Sequence, residues 1–280
     1  MYGVATALVG ELPRSEALER IALAGFSVVE ISSGAEHLGG WLADPAAMRG
    51  DLESAGLRAW SVHASSDSCD PAAEDPAQRR AAVEATQRYF RPAVEIGAEV
   101  VICHPNLPRA RFVAEDYQPS LARTAETLKA LAERAGRVGI RMAVENMVLR
   151  VGPRPATRMT EVLELIGPLG RHVGVCLDTG HAHASGEDVA GAVCQAGERL
   201  FSLHIHDNHG QRNRDEHLVP GQGTIDWRGF LAALERGGFD GHRIFEVVAK
   251  GGDRGPVDVL GQLADLRRGW EAAGPAGRRG

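Results

Sequence analysis

The segment Val173-Gly174-Val175-Cys176-Leu177-Asp178-Thr179-Gly180-His181 is a short apolar run that ends on a carboxylate and turns at once into a bend. A run of about six residues rich in Val and Leu has the length of a buried strand rather than of a core helix. A carboxylate at its tip is costly to bury unless it is paired or holds a cation. The same pattern recurs to either side. Downstream, Leu200 to Asp207 carries His204, and Arg243 to Val248 carries Glu246. Upstream, Met142 to Glu145, Glu99 to His104, Leu57 to His63 and Ser27 to Ile31 deliver Glu145, His104, His63 and Glu30, and residues 2–8 form a weaker first strand. The reading is eight strands, seven of which bring a His, Asp or Glu to their far ends.

The intervening segments read as helices: Ser15 to Ala24, Asp75 to Ile96, Asp116 to Val138, Glu161 to Ile166, Asp188 to Gln195, Asp226 to Arg236 and Val257 to Trp270. Apolar residues recur in them every three to four positions. Several stop at a glycine (Gly25, Gly97, Gly139, Gly237), where a left-handed residue ends a helix cheaply. Eight strand–helix alternations imply a parallel sheet with helical crossovers. In 280 residues they fit a closed (β/α)₈ barrel better than an open doubly wound sheet, and no GxGxxG follows the first strand. We expect one barrel domain over residues 1–273 and a disordered tail over 274–280.

The bulk composition narrows the function. A net charge of −6 does not suit a broad basic face for a phosphate backbone, so a nucleic-acid partner is not expected. Cys69, Cys103, Cys176 and Cys194 contain no CxxC pair, and Cys103 and Cys176 lie in apolar strand runs as reduced buried thiols. With no basic n-region before an apolar stretch and no run of about 18 apolar residues, the expected location is the cytoplasm, with no membrane partner. A homo-oligomer is compatible with all of this.

In a barrel, the C-terminal strand ends carry the active site. Local spacing sharpens the pattern. Asp178-Thr179-Gly180-His181 offers two ligand types within one turn. His204-Ile205-His206 has period two, so both imidazoles point to one side. Asp215-Glu216-His217 is a further pair in a loop running to Gly221-Gln222-Gly223. Mixed His and carboxylate donors suit Zn²⁺ or Mn²⁺, whereas a Mg²⁺ or Ca²⁺ site is oxygen-only. Glu30 reads equally well as a structural ion-pair residue. The Arg-rich loop from Arg150 to Arg158 reads equally as an anion contact or a solvated face.

With these residues in hand, the chain resembles the xylose isomerase-like TIM barrel superfamily, in the sugar phosphate isomerase/epimerase branch related to endonuclease IV. The segments that carry the resemblance are Ser61-Val62-His63-Ala64, Ile102-Cys103-His104-Pro105 and Ala143-Val144-Glu145-Asn146-Met147. They continue with Cys176 to His183, Leu203 to Asn208 and Asp215 to Trp227. The resemblance implies a divalent metal held by Glu145, Asp178, His204 and Glu246, with Glu145 and Glu246 also serving as the acid/base pair. It implies a sugar or sugar-phosphate substrate. His181 and His206 are expected to hold substrate hydroxyls. In endonuclease IV the same four positions join those matching His63, His104, His181, Asp215 and His217 to hold three zinc ions. All nine are present here, so one to three ions are expected. The chain departs from that enzyme at His206-Asp207-Asn208-His209, where an Asn-Asp-Ser-Lys-type run would stand, and it has no identifiable duplex-wedging loops. A zinc phosphodiesterase and a metal-dependent lyase or dehydratase are the alternative activities.

Overall fold

Both faces of nearly every strand are apolar, which is the condition for a parallel sheet covered on both sides. The computed structural model describes residues 1–33, 38, 40–107, 113–149, 152–249 and 255–273. The tail expected to be disordered lies outside the described residues. The strands are β1 (Tyr2–Ala5), β2 (Val28–Ser32), β3 (Arg58–His63), β4 (Val100–Cys103), β5 (Arg141–Glu145), β6 (Val173–Asp178), β7 (Leu200–Ile205) and β8 (Arg243–Phe245). Each pairs in parallel with its sequence neighbours, and β8 returns to β1 to close the barrel. The expected (β/α)₈ fold is therefore the fold observed.

The helices are α1 (Arg14–Leu23), α2 (Pro45–Ser54), α3 (Pro76–Gln87), α4 (Phe90–Glu95), α5 (Tyr117–Val138), α6 (Met159–Ile166), α7 (Thr179–Ala184), α8 (Val189–Ala196), α9 (Trp227–Arg236) and α10 (Pro256–Ala273). The expected helix over 75–96 is two, because Pro92 lacks an N–H and its ring crowds the carbonyl of Arg88, where the chain turns. Helix α2 was not expected, although Asp44 caps it by accepting from Ala47 N and Pro45 opens it. Gly237 is right-handed at φ −75°; the left-handed stop after α9 is Gly238 at φ 63°. Among the described residues, no helix is long and apolar enough to cross a membrane.

Period two assigns the inner face. Val28, Ile102, Ala143, Cys176 and Ile244 share the parity of Glu30, His104, Glu145, Asp178 and Glu246. They form a small apolar cluster with Ala5, Trp60 and Val100. Two register shifts interrupt the pairing. Val29 pairs with Ala59 but Glu30 with Ser61, leaving Trp60 extra; Val175 pairs with Leu200 but Cys176 with Ser202, leaving Phe201 extra. Such shifts re-aim side chains. Here they add two aromatic rings that sandwich the Arg141 guanidinium at 5.4 and 5.2 Å. They also bring Glu30 level with Ser61 and Asp178 level with His204. Cys103 and Cys176 are buried free thiols, and burial pushes Cys103 up to about 12.

Candidate metal centre and active site

The polar strand tips converge. Glu145 and Asp178 are the last residues of β5 and β6, His204 lies in β7, and Glu246 directly follows β8, where its N–H extends the ladder to Ile205 O. His204 Nδ1 lies 3.3 Å from Glu145 Oε2, 3.3 Å from Glu246 Oε2 and 4.0 Å from Asp178 Oδ2. One ligand atom from each of the four residues lies within 4.8 Å of the others. A tetrahedral shell with bonds of ~2.0–2.1 Å has edges of about 3.3 Å, so the spacing matches a small divalent cation. Among the described residues, Glu145 Oε2 and His204 Nδ1 are buried without a hydrogen-bond partner. Buried acceptors left facing one another are costly unless protons or a cation lie between them. The donor set therefore fits a metal.

Among the described residues, three further sets adjoin this one, and the first, Glu30, His63, His204 and Glu246, shares two residues with it. His63 Nε2 and His104 Nε2 stand 3.1 Å apart and 3.4 and 3.3 Å from Glu145 Oε2. On the other side, His181 Nε2 and His217 Nε2 each lie 3.1 Å from the Asp215 carboxylate. The second nitrogen of each ring is tied to a backbone carbonyl: His181 Nδ1 to Asn146 O at 2.9 Å and His217 Nδ1 to Glu246 O at 2.8 Å. Those bonds aim both Nε2 atoms at Asp215, as outer partners of metal-binding histidines do. His206 joins this set. Its Nε2 bonds to Asp178 at 2.9 Å, and its ring stacks on His217 at 4.0 Å between centroids. All ten residues expected at the site are thus brought to one end of the barrel.

Supporting residues hold the frame. Asn146 exchanges two hydrogen bonds with the Asp178 backbone, donating to its O and accepting from its N. The Asp178 side chain caps α7 by accepting from His181 N at 2.6 Å. Asp207 is fully buried and accepts from Gly221 N, Ile225 N and Trp227 Nε1. Together with a two-way backbone bridge to Leu218, this fixes the loop that presents Asp215 and His217. Glu216 points elsewhere, to His209 Nδ1 at 3.0 Å. Arg154 is neither solvated nor turned to the site: it is buried and donates to Asn106 Oδ1, Val148 O and Leu107 O, joining the loops after β4 and β5. Arg150 lies outside the described residues.

Burial alone would hold these histidines neutral and these carboxyls protonated. At Glu145, Glu246, His204 and His217 the contacts reverse it, whereas burial keeps His104 lowered. Burial raises Glu145, but His204 and His104 outweigh it and hold the carboxyl well below the usual range. Glu246 is likewise raised by burial and lowered further by His204, His63 and His217. Burial lowers His204, yet the neighbouring Cys176, Glu246 and Glu30 push it well up. Burial also lowers His217, and Asp215 reverses this to bring it to about 9. Without a cation, the positive charge of the site is therefore carried by protons on histidine.

A pH dependence follows. The folded pKa of His217, about 9, lies above its ordinary 6.5. Its contribution to stability is full below pH 6.5 and is lost as the pH rises through about 9. The melting temperature of chelator-treated protein should fall over that interval. Zinc affinity should rise over the same interval, because ligands bind metal only after losing their protons. A melting series flat with pH would contradict the charge arrangement.

The family described as xylose isomerase-like TIM barrel matches residues 18–269. An uncharacterised protein of Methanocaldococcus jannaschii is 30% identical over 191 residues, 64% of this chain and 61% of that protein. A ketose 3-epimerase of Arthrobacter globiformis is 27% identical over 196 residues, 70% of this chain and 65% of that enzyme. The aligned segments thus span less than two thirds of either relative. Among solved structures, a D-tagatose 3-epimerase-like protein superposes with a TM-score of 0.80 at 23% identity, covering 97% of each chain.

Proposed function

Because the chain belongs to the xylose isomerase-like TIM barrel family, we propose that it is a metal-dependent sugar isomerase or epimerase that moves a proton on the carbon next to a carbonyl. The observation that carries the reading is the convergence of Glu145 and Glu246, with Asp178 and His204, on one cation-sized space. The similarity to a ketose 3-epimerase supports the substrate class. Glu145, Asp178, His204 and Glu246 would hold the metal, Zn²⁺ or Mn²⁺ by donor type. When bound, such an ion polarises a carbonyl and makes the adjacent C–H more acidic.

The chain's own residues do the rest. Their charged neighbours keep Glu145 and Glu246 ionised near neutral pH, so either can accept a proton from carbon. One removes it, and the other returns a proton to the opposite face. The Glu246 side chain is 16% exposed, whereas that of Glu145, at 1%, is buried. His63 Nδ1, 3.4 Å from Glu246 Oε1, steadies that carboxylate. The hydroxyl-holding role expected of His206 competes with its bond to Asp178, and that of His181 with its bond to Asp215.

A second reading has one observation in its favour: the adjoining His63/His104/Glu145 and His181/His206/Asp215/His217 sets each bring ligand atoms within 4.8 Å. A multi-metal phosphodiesterase needs such neighbours. Elemental analysis, paired with assays on a ketose panel and on a duplex containing an abasic site, separates the two. We expect ketose turnover, no nicking, and a melting temperature about 10 °C lower after chelation, the effect of removing an ion present at about 1,000 times its Kd. Three zinc ions with duplex nicking and no ketose turnover would replace this reading with the second.

A further inference from the structure

Glu30 stands in β2, outside the four residues of the proposed metal site, yet it is fully buried and faces the same ring. His204 Nε2 lies 3.2 Å from its Oε2 and 3.0 Å from its Oε1. The opposite nitrogen, Nδ1, is the one turned to Glu145 and Glu246. Ser61 Oγ donates to Glu30 Oε2 at 2.6 Å. That contact exists because the register shift between β2 and β3 puts Glu30 directly beside Ser61.

We propose that Glu30, steadied by Ser61, is a positioning residue that keeps the His204 proton on Nε2 and so leaves Nδ1 free to bind a cation. The inference rests on the metal site proposed above. An ionised carboxylate only accepts hydrogen bonds. With Glu30 against Nε2, the neutral ring gains most by donating from that atom, and its lone pair then falls on Nδ1. A ring with the proton on Nδ1 would present N–H to the metal position and a lone pair to a carboxylate, two repulsive arrangements at once. Glu30 also has a ligand atom within 4.8 Å of His63, His204 and Glu246, but it meets Nε2 of His204 while Glu145 and Glu246 meet Nδ1, so the proposal places it behind the ion rather than on it. The arrangement is a Ser–Glu–His relay in which only the last member touches the metal. A carboxylate behind a ligating histidine both fixes its orientation and increases its basicity.

Zinc titration of metal-free protein tests this, with nitrogen-15 NMR of the zinc-loaded form to show which His204 nitrogen carries the proton. Glu30→Ala is expected to weaken zinc binding about 10–100-fold. Glu30→Gln keeps an acceptor oxygen for Nε2 and an amide group for Ser61, so it should stay within about tenfold of wild type and retain the Nε2–H signal. Ser61→Ala removes only a hydroxyl. It should weaken binding less than Glu30→Ala, and it carries the test if Glu30→Ala does not fold. A purely structural Glu30 would lower the melting temperature of the folded variants without changing zinc affinity. Affinity within about twofold of wild type in folded Glu30→Ala, or in its place Ser61→Ala, would overturn the proposal. So would a zinc ion bonded to Glu30 itself. Wild-type protein that binds no zinc would overturn the metal site as well, which distinguishes that failure from this one.

Discussion

Glu246→Gln should lower turnover by about 10²–10⁴-fold or more while the barrel stays folded. Glutamine nearly matches glutamate in shape, so packing around β8 should be retained. It cannot take a proton from carbon, and it is a poorer metal ligand, so two losses add. Among the described residues, the two nearest of three histidine contacts to the Glu246 carboxylate set what else changes. His63 and His204 each lie 3.4 or 3.3 Å from its carboxylate and lose a negative partner. Both rings should then hold their protons less firmly. The rival account makes Glu246 a structural ion-pair partner of a cation near the barrel mouth. Arg243 does not serve that role: its guanidinium lies over the Tyr2 ring at 5.3 Å, at the start of β8. Lys250 lies outside the described residues. Activity and melting temperature should be measured on the same variant. Retained activity with a lowered melting temperature would remove Glu246 from the mechanism.

Gly180→Ala should destabilise the protein by about 1–2 kcal/mol and disrupt the site, although helix propensity alone points the other way. Alanine in place of glycine within α7 would contribute up to about 1 kcal/mol. A Cβ at this position, however, would sit 2.0 Å from Cε1 and 2.4 Å from Nδ1 of His206. That ring cannot easily move aside, because it is bonded to Asp178 at 2.9 Å and stacked on His217. Overpacking of this kind costs about 1–3 kcal/mol, so the clash wins. Displacing His206 also frees Asp178, and zinc affinity should fall with it. Calorimetry of the metal-free variant checks the sign. A melting temperature equal to or above wild type would mean that His206 is not fixed as described.

The parts legible in the sequence were those with a local signal. Strand tips ending in Glu145, Asp178 or His204 stand out because an ionisable residue interrupts an apolar run. Period two through His204 and His206 correctly put both rings on one side. The supports from Asn146, Ser61 and Asp207 were missed, since each acts on a partner far along the chain or across the barrel; the capping of α7 by Asp178 was missed too, although its partner His181 N is only three residues on. Glu30 was ambiguous for the same reason: its meaning depends on a register shift that no periodicity announces. Helix α2 did carry a local signal in Asp44-Pro45, and the Pro92 break was likewise visible. The loop carrying Arg154 read equally as an anion contact or a solvated face, and Arg154 is neither, because a folded loop can bury an arginine by satisfying it with carbonyls.

The central claim is that Glu145 and Glu246 transfer a proton on the carbon beside a carbonyl at a metal held by these same residues. Deuterium uptake tests it most directly. Protein reconstituted with Mn²⁺ or Zn²⁺ is incubated with a panel of ketoses in D₂O, and the sugars are examined by NMR for deuterium next to the carbonyl. The account predicts uptake into at least one ketose, lost on chelation and in Glu246→Gln. No uptake into any ketose from metal-loaded, folded protein, together with cleavage of an abasic-site duplex, would contradict it.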